Sequence, residues 1–298
     1  MKKYRVLYNP YAGGGKGLTE SRKLCDMLPE CELDFCDITG IESYDAFFAS
    51  LLPDETLIIS GGDGTLNRFI NDTSGIDLPE DIMYYACGTG NDFLHDLGME
   101  YPCVPFPVKR YLDGLPEITV NGMKRRFLNG IGYGIDGYCT EEADRQRESG
   151  KKRVNYTLIA LKGLLGAYRP VNAEITVDGV TRTYEKVWLA PTMKGRFFGG
   201  GMMISPGQDR LGEDGSVTVT VAYGSGKQKT LTVFPSIFNG THMKHTEMID
   251  VFSGHDVTVR FDRPTALQID GETVRKVTEY SVKTAKALLA EKAEELAV

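Results

Sequence analysis

The sequence has little that would bind a metal cluster, form disulfides or cross a membrane. Its six cysteines include no Cys-x-x-Cys pair and show no metal-binding spacing with the four histidines. No stretch approaches the roughly 18 apolar residues of a membrane span, and the apolar run at residues 4–8 is too short for a signal peptide. We therefore expect a cytoplasmic protein with reduced thiols and no transmembrane segment, which contacts lipid only from the membrane surface.

The charge balance excludes a further class of protein. With a formal net charge of −7, the chain lacks the basic excess of a sequence-independent nucleic-acid binder, so no nucleic-acid partner is expected. Two short basic runs, residues 124–126 and 151–153, are either solvated faces or contacts for phosphate or an anionic membrane surface. At 298 residues, with 41% hydrophobic and 25% charged residues, the chain is long enough for two globular domains.

Residues 60–67 carry the central motif of the sequence. They follow the apolar run 57–59, which indicates a buried strand, and precede a segment with the pattern of a helix. Gly61, Gly62 and Gly64 around Asp63 allow a sharp turn and a close approach of the backbone to a ligand. Amide groups and a helix N-terminus at such a loop favour phosphate. The alternative is an ordinary turn with Asp63 as the N-cap of the helix.

Two more glycine loops follow predicted strands, at residues 9–17 and 87–93. Lys16 is followed by Gly17, so the first loop lacks the Walker spacing and the chain is not expected to be a P-loop NTPase. Strands alternating with helices predict a parallel sheet, on which ligands bind at the carboxyl ends of the strands. We therefore expect the three loops to meet at one nucleotide site.

The pattern changes near residue 116. Short strands now alternate with turns such as Asn121-Gly122 and Asp178-Gly179, which indicates an antiparallel β-sandwich interrupted by a helix at 155–167. The predicted fold class is α/β plus all-β, with an α/β nucleotide-binding domain at 1–120 and a β-sandwich at 121–283. A final helix over about 284–298 is expected to pack back on the first domain.

The ordered set of motifs resembles the diacylglycerol kinase catalytic family, which includes bacterial soluble lipid kinases and the sphingosine and ceramide kinases. The resemblance rests on residues 9–17, 61–67, 88–93 and 270–272, with further matches at 127–136 and 198–202. It covers nearly the whole chain. It implies a two-domain kinase, with a three-layer α/β domain, a β-sandwich and an active site in the cleft between them.

The resemblance also implies roles for individual residues. ATP would contact Asn9, Thr39, Gly61, Gly62, Asp63, Gly64, Thr65, Leu66, Asn67 and Thr89. A catalytic Mg²⁺ would be held by Asp63 and Asp92, since Mg²⁺ prefers carboxylate oxygens. A second, structural Mg²⁺ would bind the Asp214 carboxylate with the carbonyls of Leu211 and Ser216.

The acceptor hydroxyl must lose a proton as it attacks, and Asp270 or Glu272 is the expected general base. The residues alone favour a plain hairpin turn at Asp270-Gly271, and the position in the family pattern reverses that preference. The choice between the two carboxylates stays open.

The function that follows is an ATP-dependent kinase for the hydroxyl of diacylglycerol or a related lipid alcohol. The apolar residues 197–198 and 202–204 are candidates for the acceptor site, or simply core. The alternatives are an NAD kinase-like enzyme and a lipid- or nucleotide-binding protein without catalysis. The oligomeric state is open, with a homodimer as one alternative.

Overall fold

The computed structural model describes residues 1–88, 91–151 and 154–296. The chain folds into two compact units, Met1–Asp113 and Gly114–Val298. The first unit is built on a parallel sheet and the second on an antiparallel one. The fold class expected from the sequence is therefore confirmed, while the domain limits 1–120 and 121–283 stay a prediction.

The first unit contains a five-stranded sheet with the strand order β2-β1-β3-β4-β5. The first four strands are parallel, and the short β5 runs antiparallel to β4. Its strands are β1 Lys3–Tyr8, β2 Glu32–Asp37, β3 Glu55–Gly61, β4 Ile82–Ala86 and β5 Phe106–Pro107. Its helices are α1 Ala12–Gly15, α2 Gly17–Ser21, α3 Leu24–Met27, α4 Tyr44–Ala49, α5 Asp63–Asp72, α6 Asp92–Asp96 and α7 Lys109–Leu112, with a 3₁₀ turn at Ile38–Gly40.

The central strands of this sheet are covered on both faces. Tyr85 of β4 packs with Leu24 of α3 on one face. Its neighbour Tyr84 points to the other face and makes an edge contact with Phe93 of α6, with ring centroids 5.9 Å apart. Helices on both sides explain why β3 is a continuous apolar run rather than an alternating one. The first unit thus has the three layers expected from the resemblance.

The second unit contains a ten-stranded antiparallel sheet and a small two-stranded one. Its strands are β6 Glu117–Val120, β7 Met123–Arg126, β8 Gly130–Tyr133, β9 Val171–Val177, β10 Val180–Val187, β11 Thr192–Met193, β12 Phe197–Phe198, β13 Met202–Met203, β14 Val217–Ala222, β15 Ile249–Gly254, β16 Asp256–Ile269 and β17 Glu272–Lys283. Its helices are α8 Ile135–Glu148, α9 Tyr156–Lys162, α10 Lys227–Val233 and α11 Ala285–Leu296. A π-helical turn, Gly163–Ala167, extends α9, and 3₁₀ turns follow α10 at Phe234–Asn239 and Thr241–Lys244.

The long strand β16 organises the second unit. Along one side it pairs with β9 and then with β8, and along the other side it pairs with β17. The register shifts between Arg260 and Leu267, where the strand passes from one neighbour to the next. The rings of Tyr133 and Phe261 stack inside the resulting core, with their centroids 3.7 Å apart. This arrangement confirms the antiparallel all-β prediction.

Two turns and the last helix complete the comparison with the sequence. Asn121-Gly122 and Asp178-Gly179 both have positive φ at both residues, as type I′ hairpin turns require. Helix α11 lies in the second unit, where it contacts β17. Its packing on the first domain stays a prediction. None of the helices in the described part of the chain has the length and hydropathy to span a bilayer.

Candidate active site

The glycine loops follow the carboxyl ends of neighbouring parallel strands. Tyr8 pairs with Asp37 and with Ser60, and Gly61 pairs with Ala86, so β1, β2, β3 and β4 all end at one edge of the sheet. The loops after β1, β3 and β4 are the three that the sequence singled out. This edge is where ligands bind on open parallel sheets.

The loops after β3 and β4 lie in direct contact. Cys87 donates its backbone N–H to the carbonyl of Gly61 at 2.8 Å, and burial raises the pKa of the Cys87 thiol. A Cβ on Gly88 would lie 2.5 Å from the Cα of Gly62, a separation that real side chains do not adopt. Glycine at position 88 therefore allows the two backbones to touch beside the proposed phosphate site.

Replacing Gly88 with Ala is expected to lower stability and nucleotide affinity together. Its Cβ forces the two loops apart, and overpacking of this kind costs about 1–3 kcal/mol. Urea unfolding and ATP titration measure the two effects. Gly207→Ala is the control, because a Cβ there meets no atom within 4 Å and the residue has no positive φ. Equal stability of the two variants would contradict the prediction.

The loop after β1 is tied to the same place. Asn9 donates its side-chain amide to the Thr65 hydroxyl at 2.9 Å and its backbone N–H to the carbonyl of Ser60 at 3.2 Å. Gly17 passes so close to Asn9 that a Cβ on it would lie 1.8 Å from the Asn9 carbonyl oxygen. The structure thus brings together Asn9, Thr65 and the glycines of all three loops.

Asp63 connects two helix N-termini. It is the first residue of α5, and its Oδ2 accepts the backbone N–H of Phe93 at 3.1 Å, near the start of α6. Asp92, the first residue of α6, is buried directly beside this contact. The buried Tyr84 hydroxyl donates to the carbonyl of Gly61 at 3.0 Å and so helps to fix the loop after β3. Burial, and next the charge of Asp63, raise the pKa of Tyr84 well above its usual value.

The other predicted nucleotide residues have different surroundings. Gly64 lies in the first turn of α5, whereas the side chains of Leu66 and Asn67 are buried. Thr39 lies in the turn after β2 at the same edge of the sheet, where its N–H and hydroxyl both donate to Asp37. Thr89 lies outside the described residues. The nucleotide contacts of all these residues stay a prediction.

Two carboxylates at the loops fit the requirements of Mg²⁺. Asp63 and Asp92 supply hard oxygen donors, and the Asp63 side chain accepts the N–H of Phe93, the residue that follows Asp92. Magnesium keeps several waters and takes phosphate oxygens, so two protein carboxylates are a sufficient donor set. Within the described ranges, no three His, Cys, Asp or Glu side chains form a metal cluster. The residues therefore fit a Mg²⁺ completed by nucleotide and water, and not a metal held by protein alone.

Asp270 lies in the hairpin turn between β16 and β17. Its φ is 45°, and Gly271 follows with φ 91°, so the plain hairpin reading of this dipeptide is correct. The side chain has a second role, because its carboxylate accepts three backbone N–H groups. Oδ2 accepts from Leu128 at 2.5 Å, and Oδ1 accepts from Asn129 and Gly130 at 2.9 Å each. The three hydrogen bonds hold the carboxylate in one orientation.

Glu272 differs from Asp270 in its surroundings. Its carboxylate accepts a hydrogen bond from Arg125 at 2.5 Å and is about half exposed. It begins β17, two residues after Asp270. The acidic pair therefore contains one carboxylate fixed by the backbone and one held by a surface ion pair.

Two buried basic residues hold the backbone segment 128–130, whose amides bind Asp270, and they were not predicted from the sequence. Buried Arg210 donates to the Leu128 carbonyl and, at 2.7 Å, to the Asn129 side chain. Buried Lys194 donates its backbone N–H to the Asn129 carbonyl. Burial, and next the charge of Arg210, lower the pKa of Lys194. An isolated Arg or Lys between strands has no pattern that would reveal such a role.

The predicted second metal loop has its own protein contacts. The Asp214 carboxylate lies 3.0 Å from His255 Nε2 and 3.6 Å from Lys286 Nζ. A hydrogen bond from Ser216, and next the His255 contact, lower the pKa of Asp214. Asp214 and Ser216 are thus brought together, while the neighbouring Leu211 is exposed. A Mg²⁺ here stays a prediction, and His255 is the residue that the sequence analysis missed.

The apolar residues 197–198 and 202–203 form the β12-β13 hairpin, and Ile204 follows it. Phe198 and Ile204 are buried in a core cluster with Trp188, so these two side chains belong to the interior. Met202 packs against the same cluster. The core alternative is correct for Phe198 and Ile204, and an acceptor role of the hairpin stays a prediction.

The first unit has a parallel sheet with glycine loops, and the second has an antiparallel sheet with an acidic hairpin. This combination places the protein among kinases that are built from two such units. The diacylglycerol kinase catalytic domain model matches residues 3–116. The YegS C-terminal NAD kinase beta sandwich-like domain model matches residues 129–288. The chain belongs to the diacylglycerol kinase catalytic-domain family of bacterial lipid kinases.

Individual relatives agree with this assignment. The diacylglycerol kinase of Mycobacterium tuberculosis (strain ATCC 25618 / H37Rv) is 27% identical over 257 residues, which cover 83% of this chain and 81% of the relative. The diacylglycerol kinase of Bacillus subtilis (strain 168) is 24% identical over 280 residues, covering 91% and 90%. The crystal structure of a diacylglycerol kinase from Bacillus anthracis str. Sterne has a TM-score of 0.59 at 18% identity, covering 95% of this chain and 93% of that chain, and supports the fold.

Proposed function

We propose that this kinase transfers the γ-phosphate of ATP to the hydroxyl of a lipid alcohol, with diacylglycerol as the leading acceptor. The main support for this proposal is the hydrogen bond from the N–H of Phe93 to Asp63, at the point where the loops after β3 and β4 touch. This contact gathers backbone amides and two carboxylates at the carboxyl edge of a parallel sheet. The names of the relatives support the acceptor class.

The nucleotide would be held by the backbone rather than by a Walker lysine. The N-terminus of the ten-residue α5 and the glycine amides before it favour the negative charge of a phosphate. Asp63 and Asp92 would hold Mg²⁺, which neutralises charge on the phosphates when bound. The contribution of the protein is then mainly positioning of the phosphate and the acceptor.

We further propose Asp270 as the general base, with Glu272 in support. A base needs a fixed position within hydrogen-bond reach of the hydroxyl, and three N–H donors fix the Asp270 carboxylate. Glu272 is less constrained, because it is half exposed and paired with Arg125. Asp63 belongs to the first unit and Asp270 to the second. That both residues act in one reaction is part of the proposal.

The proposal is tested by incubating the purified protein with labelled ATP and Mg²⁺ and a panel of acceptors. The panel contains dispersed diacylglycerol, monoacylglycerol, sphingosine, ceramide and NAD, and the labelled product is identified. We expect label in phosphatidic acid and a complete loss of transfer on chelation of Mg²⁺. Label in NADP would overturn the acceptor class. No label with any acceptor, together with retained ATP binding, would favour a binding protein without catalysis.

A further inference from the structure

The loop at residues 208–216, to which the sequence assigned a structural Mg²⁺, is closed by the side chain of Gln208. This side chain is buried. Its amide nitrogen donates to the carbonyl of Ser216 at 3.0 Å and lies 3.3 Å and 3.5 Å from the carbonyl oxygens of Lys194 and Asp209. Three carbonyl oxygens around one atom require a donor there, so this end of the amide is the NH₂ group. A hydrogen-bond donor therefore occupies the point where these carbonyls converge.

The other end of the Gln208 amide fixes its orientation. Its oxygen accepts a hydrogen bond from the hydroxyl of Thr218, on the neighbouring strand β14. The same hydroxyl lies 2.9 Å from the hydroxyl of Ser253, the residue that pairs with Thr218 across β14 and β15. A reversed amide would turn its oxygen against three carbonyl oxygens. The only oxygen of this side chain is thus directed away from the loop carbonyls.

The carboxylate of the same loop faces basic groups of the protein. Asp214 lies 3.0 Å from Nε2 of His255 and 3.6 Å from the ammonium of Lys286, which is at the start of α11. His255 is itself held by Thr284. Its Nδ1 lies 3.0 Å from the Thr284 hydroxyl, and its carbonyl accepts the N–H of Thr284 at 2.9 Å. The strand turn at His255 and the start of α11 are therefore both joined to Asp214.

These contacts do not fit a Mg²⁺ in the loop. The expected ligands are the Asp214 carboxylate and the carbonyls of Leu211 and Ser216. Magnesium demands near-octahedral coordination by oxygen atoms. The Ser216 carbonyl instead accepts an N–H, and the NH₂ group beside it carries partial positive charge that repels a cation. The negative charge of Asp214 already has a lysine near it. The loop thus offers positive groups at two of the three places where the metal would need oxygen donors.

The loop has a further task for which it must be held in shape. Arg210 lies within it and donates to the carbonyl of Leu128 and to the side chain of Asn129. Those two residues donate their backbone N–H groups to the carboxylate of Asp270. The loop therefore supports the segment that orients Asp270, and the groups that close the loop also contribute to that support.

We propose that the Gln208 amide and the pair His255 and Lys286 take the place of the second Mg²⁺, so that loop 208–216 closes without a metal. The amide satisfies the carbonyls, and the basic pair balances the carboxylate. The proposal concerns only the second unit. It is independent of the Mg²⁺ assigned to Asp63 and Asp92, and it holds or fails whichever acceptor the enzyme uses.

The first test compares unfolding temperatures of the nucleotide-free protein in EDTA and in millimolar Mg²⁺. A metal that binds the folded state raises the unfolding temperature. We expect any rise in the parent to be equally large in Asp214→Asn, because the metal does not use this carboxylate. In both buffers Asp214→Asn should unfold at a lower temperature than the parent, since the contacts with His255 and Lys286 are weakened.

Glu213→Gln is the matched control for this comparison. Glu213 is the exposed neighbour of Asp214, and its replacement removes the same charge from the same loop. It should leave the unfolding temperature unchanged in both buffers. A rise with Mg²⁺ in the parent and in Glu213→Gln that disappears in Asp214→Asn would show a metal on Asp214 and overturn the proposal.

The second test addresses the amide. In EDTA, Gln208→Ala is expected to unfold at least about 3 °C below the parent, because buried carbonyls lose their donor. Gln208→Glu preserves the size of the side chain but turns an oxygen toward the same carbonyls, so it should lose at least as much. Gln228→Ala, at an exposed position of α10, is the control and should match the parent. A Gln208→Ala variant as stable as the parent in EDTA would overturn the role of the amide.

The same variants separate this proposal from the proposed kinase function. All of these measurements are made on unfolding, without ATP or lipid. A protein that phosphorylates no acceptor but shows the expected unfolding temperatures keeps the metal-free loop and loses the kinase function. An active kinase whose Mg²⁺-dependent stability requires Asp214 keeps the function and loses the metal-free loop.

Discussion

Asp63→Asn is expected to reduce phosphoryl transfer by about 10²–10³-fold, the range seen when one group that stabilises a transition state electrostatically is removed. The change removes one negative charge beside the proposed Mg²⁺ and leaves the shape of the side chain unaltered. If Asp63 and Asp92 hold the metal as proposed, the variant would leave it with one carboxylate ligand from the protein instead of two. The Mg²⁺ concentration for half-maximal activity should therefore rise as the rate falls.

The same change should leave the fold nearly intact. The asparagine of the variant can still accept the N–H of Phe93 through its side-chain oxygen, so the link between α5 and α6 is preserved. The expected loss is the favourable interaction of a carboxylate with the first turn of α5, which is worth about 0.3–1 kcal/mol. Activity and stability are thus expected to separate clearly.

Asp72→Asn is the control for this experiment. Asp72 is the last residue of the same helix, and its carboxylate pairs with Arg68 at 3.2 Å on the surface. Steady-state rates as a function of Mg²⁺, and thermal unfolding, are measured for both variants. A normal rate for Asp63→Asn would remove the residue from catalysis, and an equal loss in Asp72→Asn would point to a general effect of charge on α5.

The glycine loops of the first unit were predictable because their signals are local. A buried strand, a glycine cluster and a helix start are each recognisable within about a dozen residues. The parallel arrangement then puts successive strand ends at one edge. A Cβ on Gly88 would collide with the Cα of Gly62, and this contact is the structural reason for glycine at position 88. The sequence could place the loops together, but it could not show which atoms touch.

Helix α8 was missed for a physical reason. Its buried residues include Gly137, Cys139 and Ala143, which are too small to give a hydrophobic pattern of helical period. A Cβ on Gly137 would lie 1.9 Å from the carbonyl oxygen of Ala266 in β16, so the helix and the strand approach very closely there. Close packing selects small residues, and small residues carry little periodic signal. The predicted helix at 155–167 was found because Ile159 and Leu164 are large.

The acidic hairpin shows a different limit of sequence reasoning. Asp270-Gly271 was open to two readings, a hairpin turn or a catalytic carboxylate. The structure makes it a turn, and the amides of Leu128, Asn129 and Gly130 then fix its carboxylate. These donors lie about 140 residues earlier in the chain. No local pattern could reveal them.

Asp270→Asn is expected to be the most disruptive single change at the proposed base. An Asn side chain has one acceptor oxygen, whereas Asp270 uses both of its oxygens to accept backbone N–H groups. If the amide oxygen keeps the bonds to Asn129 and Gly130, the new NH₂ group faces the N–H of Leu128. The free energy of unfolding should fall by roughly 2–3 kcal/mol, the cost of losing a hydrogen bond to a charged group and leaving a donor unsatisfied.

A second Asp-Gly hairpin in the same unit provides the matched control. Asp178 also has positive φ, and its Oδ1 alone accepts the N–H groups of His255 and Asp256 at 2.9 and 2.8 Å. An Asn at this position can keep both bonds through one oxygen and tolerates the left-handed conformation. Asp178→Asn should therefore cost less than about 1 kcal/mol. Urea unfolding of both variants tests whether the use of two oxygens, rather than the turn itself, makes Asp270 essential for stability.

The catalytic part of this prediction requires rates per folded molecule. After correction for the folded fraction, Asp270→Asn is expected to lower kcat about 10²–10⁴-fold, the usual contribution of a general base. Glu272→Gln should lower it much less, since Glu272 is half exposed and bound to Arg125. If Asp270→Asn is only unstable, with a normal corrected rate, and Glu272→Gln is slow, then the fixed carboxylate is structural and the base is Glu272. The three amides would in that case hold the hairpin so that its neighbour can reach the acceptor.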